Sequence, residues 1–180
     1  NKADEAVFTA VISDLHLCEA EPVNEENPLW KKFKTREFFF DDIFCRFLEE
    51  IEQRAQARAD ELGVEHHIEL VLNGDIFDYD SVTKLPEDPP YKIHWIEKHR
   101  GLFPEERKSI FKTQCILEDH VQFVDSLSRF IKKGNTVVFI AGNHDVEFLL
   151  PKVQYEIIKA LQLSAEEKTR VRFCSWFYIS

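Results

Sequence analysis

The chain has 180 residues, of which 44% are hydrophobic and 31% are charged. A chain of this size and composition is typical of one globular domain with its own hydrophobic core, which excludes an intrinsically disordered or fibrous protein. The net charge of −10 disfavours nucleic acid as a partner, because binding to DNA or RNA usually needs a basic surface.

No stretch of the sequence approaches the roughly 18 consecutive apolar residues of a membrane-spanning helix, and the first residues do not resemble a secretory signal. The chain contains no Met, so the sequence leaves open whether a leader has been removed upstream. The four cysteines lie far apart without a C-x-x-C pair, which disfavours a zinc ribbon and a disulfide-rich secreted scaffold. We therefore expect a cytoplasmic protein without a transmembrane segment.

Strand and helix patterns alternate along the chain. Apolar, β-branched runs predict strands at residues 6–12, 68–72, 136–141 and 171–179. Apolar residues at spacings of three and four predict helices at residues 30–62, 105–133 and 146–163. We expect Gly63 and Gly134 to end the first two helices and Pro151 to begin the third. This order builds βαβ units, so we expect an α/β fold in a single domain, residues 1–180.

A polar cluster follows each of the first three predicted strands. In a parallel α/β sheet, ligands bind beyond the carboxyl ends of the strands, so residues far apart in the sequence meet there. The chemistry-bearing residues of these clusters are Asp14, His16, Asp75, Asn143, His144 and Asp145. We expect them to form one site.

The first two clusters offer carboxylates and an imidazole. If the chain is still extended after the first strand, Asp14 and His16 point to the same side and provide half of a typical site for Mn, Fe or Zn. Asp75 follows a glycine and has a carboxylate that can bridge two metals. Asp78 is expected to cap the next segment or to support the site. Taken alone, each pattern is also typical of an ordinary cap or turn.

The third cluster combines an amide with an imidazole. The Asn143 side chain offers a neutral oxygen to a metal ion, while His144 is free to donate a proton or a hydrogen bond to a phosphate oxygen. Asp145 is a candidate to orient His144. A plain turn is the alternative interpretation of this cluster.

Together the clusters resemble the first three signatures of the calcineurin-like metallophosphoesterase family, which they match at residues 13–17, 74–78 and 142–145. The resemblance implies a metallophosphoesterase-type β-sandwich flanked by helices, in α/β/β/α layers, with two divalent metal ions at one edge. It also implies a role for each matching residue. The first metal is bound by Asp14 and His16, the second by Asn143, Asp75 bridges the two, and His144 acts on the phosphate and the leaving group.

The family's later G-H and G-H-x-H signatures do not appear, and no histidine follows His144. We therefore expect the 180 residues to be the N-terminal portion of the domain, without its C-terminal histidine ligands and the rest of its sheet. The other histidines are not expected to replace those ligands. His66 and His67 precede the second strand at the wrong end of the sheet, and His120 is expected to be solvated on a helix.

The predicted function is that of a hydrolase acting on phosphoric ester bonds, in which a hydroxide that bridges two divalent metals attacks a phosphate mono- or diester. Mn is the expected metal, with Fe or Zn as alternatives. The negative charges of Asp14, Asp75 and a hydroxide offset most of the positive charge of two divalent cations. The centre keeps a charge of about +1, which can hold a phosphate against an acidic surface. One alternative is a pyrophosphate hydrolase of the UDP-2,3-diacylglucosamine type, although those enzymes typically carry Arg in place of His144. The other is a non-catalytic, protein-binding scaffold of the same fold.

Two segments are candidates for the pocket of a small phosphate-ester substrate. Residues 19–40 interleave basic and aromatic side chains, which are expected either to grip an anionic or lipid-like substrate or to begin an amphipathic helix with a solvated basic face. The long connection at residues 79–104 is expected to cover the metals, with ordinary surface packing of Trp95 as the alternative. The candidate substrate ligands in this connection are His94, His99 and Arg100.

Overall fold

The structure is a computed structural model that describes residues 5–19 and 41–175. Residues 20–40 lie outside the described part of the chain. They include nearly all of the basic and aromatic segment and the predicted first third of the helix at residues 30–62. The last residues of the fourth predicted strand, 176–179, also lie outside it.

Four parallel strands form one sheet in the order β1-β2-β3-β4. Their bounds are Glu5–Ile12 for β1, Glu65–Asn73 for β2, Thr136–Ile140 for β3 and Val171–Cys174 for β4. The predicted strands and the parallel α/β sheet are thus confirmed. β2 begins three residues before its apolar run, because its register pairs polar Glu65 with Glu5. Within the described residues we find this one sheet and no second sheet of the expected sandwich.

Five α-helices occur in the described residues. They span Asp41–Leu62 (α1), Glu97–Arg100 (α2), Glu106–Asp119 (α3), Val121–Lys132 (α4) and Pro151–Ala160 (α5). Pro151 begins α5 as predicted, and Gly63 and Gly134 follow α1 and α4 with positive φ values of 67° and 104°. None of the described helices is both long and apolar enough to cross a bilayer.

The single helix predicted at residues 105–133 is wrong, because His120 separates α3 from α4. The backbone at His120 has φ −116° and ψ 49°, outside the helical region. Its ring is buried, with Nδ1 2.7 Å from Oδ1 of Asp41 and Nε2 2.9 Å from the carbonyl oxygen of Cys18. The expectation of a solvated His120 is therefore also wrong, since its partners come from distant parts of the sequence.

The helices pack on one face of the sheet. Because the strand order follows the chain order and crossovers have one preferred hand, successive crossovers place their helices on the same side. The main core lies on that side and includes Leu70 and Phe139. On the opposite face Val71, Val138 and Ile140 form a smaller buried cluster. The three polar clusters lie at the carboxyl edge of this sheet.

Candidate active site

The three predicted metal ligands of the first two clusters share an unusual backbone conformation. The φ angles are 58° at Asp14, 50° at His16 and 53° at Asp75, in the left-handed region that non-glycine residues rarely adopt. The chain is therefore not extended after Ile12, and the alternation argument for Asp14 and His16 is wrong. A different mechanism brings their side chains together.

That mechanism is a ladder of main-chain hydrogen bonds between the loops that follow β1 and β2. The Asp14 N–H donates to the Gly74 carbonyl at 3.2 Å, and the His16 N–H donates to the Asp75 carbonyl at 3.0 Å. The ladder continues with the Leu17 N–H, which donates to the carbonyl of Ile76 at 2.8 Å. The pairing of the first two strands thus continues into the polar clusters and fixes them side by side.

The ladder brings the side chains of Asp14, His16 and Asp75 into one group. Each offers one ligand atom, and these atoms all lie within 4.8 Å of one another. Nε2 of His16 is 4.0 Å from Oδ1 of Asp14, whose side chain is 67% exposed. Two carboxylates and an imidazole suit Mn, Fe or Zn, so the donor chemistry of this group fits a divalent metal ion.

The loop after β3 packs directly on Asp75. Oδ1 of Asp75 accepts a hydrogen bond from the His144 N–H at 3.0 Å. A Cβ on Gly142 would collide with Oδ1 of Asp75 and lie 2.5 Å from its main-chain nitrogen, closer than real Cβ contacts allow. Gly142 therefore creates the space in which the Asp75 carboxylate sits.

Asp78 lies beneath both histidines of the site. Its Oδ1 is 3.4 Å from Nδ1 of His144, and its Oδ2 is 3.8 Å from Nδ1 of His16. His16, Asp78 and His144 form a second group whose ligand atoms lie within 4.8 Å. Asp78 also accepts hydrogen bonds from the Ser81 N–H and hydroxyl, at 3.2 and 2.7 Å. It therefore caps the following turn, as predicted, and also contacts the site.

Asp145 makes different contacts from those expected. It is fully buried, and its Oδ2 accepts hydrogen bonds from the main-chain N–H groups of Ile76 and Phe77, at 2.7 and 3.3 Å. Its Oδ1 accepts from Gly142 at 2.5 Å. Burial raises the pKa of Asp145, and these N–H donors oppose the rise. Asp145 thus ties the loop that carries His144 to the loop that carries Asp75.

A buried polar layer that the sequence did not reveal begins directly after Asp78. The next residue, Tyr79, is buried, and its hydroxyl lies 3.0 Å from Oγ1 of Thr113 on α3. Nζ of Lys112 lies 5.5 Å from the centre of the Tyr79 ring and 3.4 Å from Oε1 of Glu147. Burial raises the pKa of Glu147, and the neighbouring Lys112 opposes the rise. In the sequence, only a pairing of Lys112 with Glu147, which lie 35 residues apart, would have indicated this layer.

The remaining candidate residues are exposed. Asn143 lies in the loop after β3, next to His144. His94, His99 and Arg100 lie on α2 or just before it, and within the described residues none of them belongs to the Asp14, His16 and Asp75 group. Nδ1 of His99 lies 3.0 Å from the carbonyl oxygen of Trp95 instead.

A sequence model of the calcineurin-like phosphoesterases matches residues 9–179, which is nearly the whole chain. The chain belongs to the calcineurin-like phosphoesterase family. This metallophosphoesterase is therefore a metal-dependent hydrolase that acts on phosphoric ester bonds, and its family uses divalent metal ions. The parallel sheet with its helices agrees with the fold of that family. No curated protein and no solved structure matches the chain at a significant level.

Proposed function

We propose that this metallophosphoesterase hydrolyses a phosphate mono- or diester in one step, with water rather than a side chain as the source of the nucleophile. The observation that carries the proposal is the convergence of Asp14, His16 and Asp75, whose ligand atoms lie within 4.8 Å of one another. Two divalent cations, when bound, supply Lewis acidity and lower the pKa of water from about 15.7 towards 7, so that hydroxide is available near neutral pH.

The proposed ligand set divides between two metal positions. Asp14 and His16 would hold the first cation, and Asn143 would hold the second. Asp75 would lie between them, because it packs against the loop after β1 and the loop after β3. Mn is the metal we propose, with Fe or Zn as alternatives, because carboxylate, amide and imidazole donors suit all three.

His144 is the proposed acid of the reaction. Its Nδ1 is buried and makes no hydrogen bond within the described residues, and the carboxylate oxygen 3.4 Å away belongs to Asp78. The Asp78 carboxylate would orient the imidazole ring, so that Nε2 can donate a hydrogen bond to the leaving oxygen. Asp145 is proposed to act on His144 through the main chain of Gly142, because its Oδ1 accepts a hydrogen bond from the Gly142 N–H.

The proposed substrate is a small phosphate ester, with His94, His99 and Arg100 as candidate contacts at its far end. Nucleic acid is not proposed as a substrate, since binding to DNA or RNA usually needs an extended basic surface and the net charge of the chain is −10. The cytoplasm is the proposed location, which is supported by four cysteines that lie far apart in the sequence without a C-x-x-C pair.

The direct test is hydrolysis of bis-p-nitrophenyl phosphate and p-nitrophenyl phosphate by the full-length protein, first treated with a chelator and then supplied with Mn, Fe or Zn. We expect activity only with metal. Loss of residues that merely orient metal ligands often costs 10- to 100-fold, so Asp75→Asn should cost about 100-fold or more. Asp88→Asn removes an exposed carboxylate from the connection before α2 and is the matched control. Protein that binds none of these metals and hydrolyses neither ester would favour the scaffold alternative.

A further inference from the structure

An exposed aromatic turn lies in the connection between β2 and α3. We call residues 91–104 the Trp95 turn. The side chain of Trp95 is 76% exposed, and those of Ile96 and Phe103 are 39% and 41% exposed. Three large apolar residues grouped on one exposed turn are typical of a surface that binds a partner.

The exposed charges of the Trp95 turn are all positive. Lys92, Lys98 and Arg100 are exposed, whereas the one acidic residue of the turn, Glu97, is fully buried. This contrasts with the chain as a whole, whose net charge is −10. Glu105, which directly follows the turn, is acidic and 60% exposed, so the basic surface around the apolar tip is confined to the turn itself.

Glu97 holds the turn in this conformation from within. Its carboxylate accepts hydrogen bonds from the main-chain N–H groups of His94 and Phe103, at 2.7 and 2.9 Å. Nζ of Lys108, on α3, donates to the same carboxylate at 2.8 Å, and both side chains are buried. Because the buried ion pair fixes the backbone on both sides of Trp95, the apolar tip is part of the folded structure.

Close packing of Gly101 ties the turn to the segment that carries Asp78. A Cβ on Gly101, whose φ is 88°, would lie 2.6 Å from the carbonyl oxygen of Val82. Val82 ends the short helical turn that Asp78 caps. The Trp95 turn thus packs against the short segment that follows Asp78, and Asp78 contacts the two histidines of the candidate site.

We propose that the Trp95 turn docks on the surface of an anionic lipid bilayer. Tryptophan favours the headgroup region, where its ring is partly buried and its N–H stays hydrated, and Ile96 and Phe103 would enter the same layer. Lys92, Lys98 and Arg100 would face the anionic headgroups, each contributing roughly fivefold to binding. A nucleic acid would use the cations and the indole ring but not Ile96, which favours the lipid surface.

Vesicle flotation with the full-length protein tests the proposal. We expect binding to vesicles of phosphatidylcholine with phosphatidylglycerol, weaker binding to phosphatidylcholine alone, and weakening of the former by NaCl. Trp95→Ser should remove most of the binding, and the Lys92→Glu/Lys98→Glu pair should lower it by roughly 25-fold or more. Arg100 is left unchanged because it is a candidate substrate contact.

The matched controls lie elsewhere on the surface. Tyr155→Ser replaces an aromatic residue that is 62% exposed on α5, and Lys168→Glu reverses an exposed charge before β4. Neither should change flotation. No flotation of the parent protein, or equal losses in the controls and in the turn variants, would overturn the proposal. Binding of heparin or an oligonucleotide with the same dependence on the turn, without vesicle binding, would also overturn it.

Tryptophan fluorescence gives a second readout. The chain has three Trp residues, and we expect a blue shift on addition of the anionic vesicles that Trp95→Phe removes. A blue shift that survives in Trp95→Phe would contradict insertion of Trp95. These measurements report binding alone and use no substrate, so their outcome is separate from that of the hydrolysis assay.

Discussion

Three residues of the candidate site have carboxylate or imidazole side chains that suit a metal ion: Asp14, His16 and Asp75. Their backbone conformation is energetically unfavourable for any residue with a Cβ. Their φ angles lie between 50° and 58°, and a non-glycine residue in that region costs of order 1–3 kcal/mol. Asp tolerates this region better than most residues. The strain agrees with a site selected for the positions of its ligand atoms rather than for stability.

The strain predicts that loss of a ligand stabilises the metal-free chain. Asp14→Gly removes the left-handed strain and adds glycine's conformational entropy to the unfolded state, so we expect a net gain of about 0.5 kcal/mol in the free energy of unfolding. Urea denaturation in the presence of a chelator measures this change in the free energy of unfolding. Asp125→Gly, at an exposed position of α4 with ordinary helical geometry, should destabilise the protein instead. Destabilisation of similar size in both variants would count against the strain.

Gly142 gives a second prediction at this scale. A methyl group there would collide with Asp75, so Gly142→Ala should displace the carboxylate and lower metal affinity by roughly 10- to 100-fold, as other changes that misplace ligands do. Calorimetric titration with Mn measures the affinity. Gly134→Ala is the control for backbone strain alone, because its φ of 104° disfavours a side chain while a Cβ there meets no atom within 4 Å, so it should lower stability without lowering metal affinity. Unchanged metal affinity in Gly142→Ala would show that the space is not needed for the site.

The elements differ in how far the sequence predicts them. Strands β1 to β4 are apolar runs, so hydrophobic pattern alone locates them, and the carboxyl ends of three of them locate the polar clusters. The break between α3 and α4 does not follow from local pattern, because it depends on bonds from His120 to Asp41 and Cys18. The left-handed conformations of Asp14, His16 and Asp75 were not predictable either, since they depend on the ladder of hydrogen bonds between the two loops.

Buried charges were the other feature that local pattern concealed. Lys108 and Lys112 on α3 have the spacing of a solvated face, yet both are buried because acidic partners lie in distant segments. Asp78, by contrast, was predictable as a cap from its place three residues after Asp75. Its contact with His144 required the structure.

The buried pair of Glu97 and Lys108 predicts how the Trp95 turn responds to pH. Burial alone would raise the pKa of Glu97, but the hydrogen bonds from Lys108, His94 and Phe103 outweigh it and lower the pKa from 4.5 to about 2. A folded-state pKa below the unfolded value stabilises the fold above pH 4.5, and this stabilisation is lost as the pH falls towards 2. The protection of the main-chain amides of the turn against hydrogen exchange, relative to their intrinsic exchange rate at each pH, should therefore fall across that window.

Glu97→Gln tests the same pair at neutral pH. It leaves the buried Lys108 with only its exposed partner Glu105, so we expect a loss of about 3 kcal/mol in the free energy of unfolding. Glu105→Gln, which removes that exposed partner, should cost less than about 1 kcal/mol. Equal losses in the two variants would contradict the central place of Glu97 in the turn.

The whole molecule should gain stability from metal, because the proposed ligands come from loops after three different strands. A metal that binds only the folded protein stabilises it by about 2.7 kcal/mol when its free concentration is 100 times Kd. Thermal unfolding should therefore shift upward with added Mn in the parent protein and in Asp88→Asn, but much less in Asp75→Asn. A shift of equal size in all three proteins would place the stabilising metal elsewhere.

The central claim is that Asp14, His16 and Asp75, with Asn143, form a metal centre that performs the hydrolysis. The most direct measurement is the metal content of the full-length protein after incubation with Mn and removal of free metal, by elemental analysis, for the parent, Asp75→Asn and Asp88→Asn. We predict bound Mn in the parent protein and in Asp88→Asn, and its loss in Asp75→Asn. Metal retained at the parent level in Asp75→Asn would contradict the account.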